Sequence, residues 1–114
     1  MRKTAYSVLA VACAALTAIS AQASACDLDD LVGYTLTERK TIEGYLDDNA
    51  KGIKNDFKGC RSGRTIIFSD DAVVACTETS YGNAHQPEAY VFNNGRRWKM
   101  CVDGKLYDIK PHHR

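Results

Sequence analysis

The sequence predicts a mainly β domain, a single small antiparallel meander or barrel-like sheet stapled by disulfides. Three observations predict it. Asn94-Gly95 and Asp103-Gly104 are the dipeptides that two-residue hairpin turns prefer, because both central positions need positive φ. The residues around these turns alternate between apolar and polar, the two-residue period of a half-buried strand. Four cysteines, Cys26, Cys60, Cys76 and Cys101, remain once an apolar leader is set aside, an even number in a short chain.

Along the chain, Asp27 to Leu31 has room for one helical turn at most. From Gly33 onward, Tyr34, Leu36, Ile42 and the threonines at 35, 37 and 41 favour an extended strand; a weak helix over Thr37 to Leu46 is the competing reading. Residues 47–63 carry three glycines, two asparagines and many charges and read as a long loop. Thr65 to Phe68, turn residues Ser69-Asp70-Asp71 and Ala72 to Cys76 read as a hairpin. Tyr81 to Pro87 reads as a connection, with Pro87 stiffening the start of the next strand.

Setting two-residue turns at Asn94-Gly95 and Asp103-Gly104 pairs Val91 with Trp98, Ala89 with Met100, Val102 with Lys105, Met100 with Tyr107, and Trp98 with Ile109. One face then collects Ala89, Val91, Trp98, Met100, Val102, Tyr107 and Ile109 as a core, and a one-residue slip would destroy it. A sheet of five or six strands, curled into a small barrel or capped by the long loop, is expected.

The first 25 residues read as a signal peptide. Met1-Arg2-Lys3 is a short positive start, Ala5 to Ile19 an apolar run, and Ala21-Gln22-Ala23 or Ala23-Ser24-Ala25 a cleavage site. Fifteen or so Ala-rich residues are too few to span a bilayer core of about 30 Å. Removal leaves residues 26–114 as one mature domain, periplasmic or secreted, with no transmembrane segment. It also removes Cys13, and leaves 13 basic against 14 acidic residues, without the basic bias of a nucleic-acid binder. An alternative, a lipoprotein acylated on Cys26, is disfavoured by Ala23 where Leu is usual and by the odd thiol that acylation would leave. Cys60 and Cys76 flank the first hairpin and are expected to pair, leaving Cys26 with Cys101. No cysteine pair has CxxC spacing and no His stands three to five residues from a Cys, so neither a zinc site nor a redox pair is expected, nor any cofactor.

The opposite face of the later strands is the candidate site. The same register sets Tyr90 against Lys99 and Phe92 against Arg97, with Arg96 beside the turn. Rings alternating with cations suit stacking on sugars or bases, or gripping an anionic ligand, although such pairs also simply stabilise hairpins. No nucleophile motif such as GxSxG accompanies His85, the adjacent pairs Asp29-Asp30, Asp47-Asp48 and Asp70-Asp71 do not build an acid and base on one strand face, and His112-His113 is a terminal pair, so an enzyme is not expected.

The run Phe57-Lys58-Gly59-Cys60, the hairpin closing on Cys76, Tyr81 and Ala84 ahead of Pro87, Trp98-Lys99-Met100 and Tyr107-Asp108-Ile109 together resemble a set of small exported bacterial proteins of unknown role. Cys26 and Cys101 are extra to that pattern, and it implies no catalytic residue. Two functions are expected as alternatives. One is a non-catalytic exported module binding a cell-envelope component or an anionic ligand through Tyr90, Phe92, Arg96, Arg97 and Lys99. The other is a disulfide-bonded inhibitor of a secreted hydrolase, presenting the 47–59 loop or the Tyr81 to Pro87 loop.

Overall fold

The computed structural model describes residues 26–112; the expected leader with its two alternative cleavage sites, Cys13 and His113 lie outside the described residues. After a single 3-10 turn, Leu28–Leu31, eight strands follow: β1 (Thr35–Leu46), β2 (Phe57–Cys60), β3 (Thr65–Phe68), β4 (Val73–Cys76), β5 (Ser80–Ala84), β6 (Glu88–Asn93), β7 (Trp98–Val102) and β8 (Lys105–Pro111). Six of them close into an antiparallel barrel in the order β1-β3-β4-β8-β7-β6, and β2 pairs with β5 as a separate two-stranded arm. No helix of the described residues is long and apolar enough to cross a membrane.

Closure depends on β1. Its first half pairs with β6, Thr35 opposite Asn93 through Thr41 opposite Glu88, and its second half with β3, Ile42 opposite Phe68 through Leu46 opposite Thr65. Register shifts at Leu36/Glu38 and Ile42/Gly44 let one strand turn this corner, as bulges do in small barrels. The strand reading of residues 35–46 therefore stands over the helical one. Thr35, Thr41 and Ile42 each have a ladder partner, and Thr37, in the first bulge, donates its hydroxyl to the Val91 carbonyl (3.1 Å).

The β7–β8 hairpin has the expected register, Val102 opposite Lys105, Met100 opposite Tyr107 and Trp98 opposite Ile109, with Asp103 and Gly104 at φ 50° and 79°. The β6–β7 register is corrected by two residues: Val91 faces Met100 and Ala89 faces Val102, so Tyr90 lies opposite Cys101 and Phe92 opposite Lys99. The cause is the Asn94 side chain. Its Oδ1 accepts from the backbone N–H groups of Arg96 (2.9 Å) and Arg97 (2.7 Å), while the Asn94 N–H donates to the Arg97 carbonyl. This widens the turn to residues 94–97. Because side chains alternate with period two, an even slip leaves every residue on its expected face. Ala89, Val91, Met100, Val102, Tyr107 and Ile109 are all buried, joined by Ile42, Ile66 and Phe68; Trp98 is half-buried at the edge of this core.

The expected loops at 47–63 and 81–87 each contain a strand, a second correction. Phe57 of β2 pairs with Ala84 of β5, Gly59 with Tyr81 and Cys60 with Ser80. These segments are short and poor in β-branched residues; tertiary contacts supply what propensity does not. Phe57 is fully buried, edge-on to Tyr107 with ring centroids 5.2 Å apart. Gly59 has φ 83°, and a Cβ there would lie 2.3 Å from the Ser80 carbonyl oxygen, so only glycine allows this pairing.

Arg64 ties the parts together. It is 7% exposed, and its guanidinium donates to Asp47 through Nε (2.6 Å) and Nη2 (3.0 Å) and through Nη1 to the Lys58 and Gly59 carbonyls (3.3 and 3.2 Å). Its flat face lies 4.1 Å from the Tyr45 ring centroid. One side chain thus fixes the end of β1, the long connection and β2. The Arg64 hydrogen bonds hold the Asp47 carboxyl below its ordinary value of 3.8, against the opposing push of partial burial.

Both expected cystines form. Cys60–Cys76 joins the arm to the barrel, and Cys26–Cys101 fastens the N-terminal segment onto the outer face of β6 and β7. That segment acts as a strap: its own Leu31 is buried, and Lys99 Nζ reaches up to the Asp30 carbonyl (3.2 Å) and over the Tyr34 ring, 5.2 Å from its centroid.

Two outcomes follow from this packing. Arg64→Ala is expected to lower the unfolding free energy by about 2–3 kcal/mol in urea denaturation, since it leaves Asp47 and two carbonyls without their donor. The part owed to the ionised Asp47 is fully present above pH 3.8 and is lost as pH falls below it toward the depressed folded value, so the gap between wild type and variant should narrow in acid. Replacing Cys26 and Cys101 together with serine should free the strap alone. Amide exchange is expected to rise at Leu31 and Tyr34 while Met100 and Tyr107 in the barrel stay protected.

Candidate functional site

The surface expected from the sequence is divided by the strap. Tyr90 and Phe92 do point outward, but they are half-buried beneath residues 26–36. With Leu28, Leu31, Leu36 and the Cys26–Cys101 bridge they line an apolar groove of about 350 Å³. Lys99 is engaged by Asp30 and Tyr34 and is not open to a ligand in this arrangement. Three of the five candidate residues therefore serve to seat the N-terminal segment. The missing signal is long-range: nothing local tells that a cystine 75 residues apart in sequence brings Leu28 and Leu31 onto this face.

Arg96 and Arg97 have a different neighbourhood. They stand exposed at the wide β6–β7 turn and border a groove of about 380 Å³ whose other walls include Thr77, Trp98, Asp108 and Lys110. Asn94 holds their backbone N–H groups, so the turn that carries both guanidinium groups is itself fixed. Lys110 arrives because β8 runs on past Ile109 to pair with β4, Ala75 opposite Lys110. The sequence reading missed it, since the β4–β8 pairing that closes the barrel leaves no local mark. Trp98, expected as plain core, is half-buried and presents part of its ring to this groove.

A second basic groove, about 240 Å³, lies between Lys58, Arg61, Arg64 and Tyr81. Its cations are already engaged. Arg64 is forked onto Asp47, Arg61 lies 3.9 Å from the same carboxylate, and Lys58 sits 3.7 Å from Asp56 and donates to Asn83 at 2.8 Å. Around Arg96, Arg97 and Lys110, by contrast, no side chain of the described residues forms an ion pair with any of the three. Asp108 is the one carboxylate lining that groove, so three cations face one anion.

Adjoining it, at the mouth of the barrel, is a smaller and largely apolar groove of about 160 Å³. Phe68, Ala72, Val74, Val91, Trp98 and Pro111 form most of its wall, with Glu38 and Lys40 at its margin. The Lys40 ammonium bonds Asp70, lies 3.7 Å from Glu38 and 5.6 Å from the Phe68 centroid. The Asp70 hydrogen bond raises the Lys40 pKa above 10.5, outweighing its desolvation. Among the described residues no group of three or more His, Cys, Asp or Glu is placed to hold a metal ion; His85 and His112 are both exposed.

No family model, curated protein or solved structure matches this chain.

Proposed function

We propose that the protein is an exported, non-catalytic binding module that holds an anionic ligand in the groove bordered by Arg96, Arg97 and Lys110. The observation that carries this reading is the set of three cations gathered beside the Trp98 ring without an ion-pair partner among the described residues. A guanidinium presents a planar fork of donors that matches carboxylate and phosphate oxygens, and two adjacent forks on a fixed turn lose little freedom on binding. Trp98 adds a flat face on which a sugar or other ring can rest. Export is supported by the leader and by two cystines, which persist in oxidising compartments. A phosphate- or carboxylate-bearing component of the cell envelope is a fitting source of such a ligand.

A second reading, inhibition of a secreted hydrolase, draws on Tyr81. Tyr81 is 81% exposed while its carbonyl accepts from Lys105 Nζ (2.7 Å) and the Tyr107 hydroxyl (3.4 Å), so a projecting aromatic stands on an anchored backbone. On this reading a hydrolase is retained on the immobilised protein and is lost with Tyr81→Ala.

Trp98 is the only tryptophan of the chain, so its fluorescence reports on the groove directly. In a pyrophosphate titration, the double change Arg96→Ala, Arg97→Ala is expected to weaken binding about tenfold or more, since hydrogen bonds to charged groups contribute about 1.5–3 kcal/mol each. Lys51→Ala with Lys54→Ala, an equal loss of charge on the long connection, should change it little. Equal affinity of the arginine variant and the wild type, or an equal loss in both variants, rejects the reading.

A further inference from the structure

We infer that the ligand of this groove carries a benzene-sized apolar group next to its anionic end, as an arylalkyl acid does, and that this group enters the barrel mouth past Trp98. The inference rests on the anion-binding reading and adds the chemistry of the ligand's other end. Trp98 and Pro111 are walls of both grooves, so the basic site and the apolar mouth lie on either side of the same two residues. A single small molecule can therefore occupy both.

Size and lining agree. The mouth measures about 160 Å³, close to the roughly 150 Å³ apolar cavity known to take up benzene. Its floor is Phe68 and Val91, 1% and 2% exposed, and half-buried Ala72, Val74 and Trp98 flank it. The barrel core beneath is filled, so the space ends at a well-packed surface. Such a wall favours a flat or branched hydrocarbon group over a long chain.

Charge sets the direction. Among the described residues Lys40 is the one lysine or arginine lining the mouth, and its ammonium is bonded to Asp70 and lies beside Glu38. Among the described residues the mouth thus offers no unpaired lysine or arginine, and the Glu38 carboxylate that lines it repels an anion. Arg96, Arg97 and Lys110 lie on the other side of Trp98. The acid group goes to the arginines and the hydrocarbon group to the mouth, and the reverse orientation is unfavourable at both ends.

The test titrates 3-phenylpropionate, propionate and 3-phenylpropan-1-ol into the full mature domain, with pyrophosphate as the reference anion, read by Trp98 fluorescence and by amide shifts. The aryl acid is expected to bind about tenfold or more tighter than either propionate or the alcohol, given the gain from burying an aromatic side-chain-sized group. Val73→Phe, which fills the mouth from its rim, should erase that preference while pyrophosphate binding stays within about twofold. Its amide spectrum reports whether the barrel is retained, and Ala72→Leu serves as a second filling variant if it is not. Equal binding of aryl acid and propionate, with pyrophosphate still bound, overturns this inference and leaves the anion site standing. An alcohol that binds as well as the acid, with pyrophosphate silent, removes the anion site itself.

Discussion

Arg64 is the point where barrel, arm and long connection meet, and its position explains why so polar a stretch of chain is ordered at all. Burying a guanidinium is costly unless every donor finds an acceptor. Here two donors go to Asp47 and a third is shared between the Lys58 and Gly59 carbonyls, with Tyr45 stacked on the flat face. The acceptors come from the residue just past β1 and from two neighbouring carbonyls of β2, so one side chain ties both ends of the long connection together. Residues 47–56 supply almost nothing apolar, so their order derives from this hub and from the Tyr45–Lys54 bridge.

The two cystines divide the remaining work. Cys60–Cys76 closes a loop of 16 residues and binds the arm against the barrel. Closing such a loop is worth about 3 kcal/mol in the chain-entropy picture, a sizeable part of what a domain of this size can muster. Cys26–Cys101 spans 75 residues and shapes the surface as well as the chain, because the strap it fastens half-covers Tyr90 and Phe92 and engages Lys99. What stays open is the rim around Trp98, where the β6–β7 turn and the end of β8 come together.

The barrel core was legible because it depends on a period. The Asn94 side chain moved the β6–β7 register by two residues, yet Val91, Met100 and Tyr107 kept their side of the sheet. Asp103-Gly104 gave its register outright, since no competing side chain caps that turn. The arm was not legible: Phe57 to Cys60 and Ser80 to Ala84 are strands because Gly59 and Gly82 let backbone and the Tyr107 hydroxyl come close, a property of the assembled fold. The site was half legible for the same reason. Arg96 and Arg97 announce themselves at a turn, whereas Lys110 joins them only through barrel closure and Lys99 leaves them only through the strap.

Closure also decides how this molecule meets its own kind. Six strands that join edge to edge give every strand of the ring a neighbour on both sides, which narrows the usual route from a β protein to a fibril. The two-stranded arm keeps a border outside that ring. There the carbonyl of Tyr81, where a foreign strand would begin to knit, is already occupied by Lys105 and Tyr107. Encounters between copies therefore lean on side-chain chemistry more than on strand pairing.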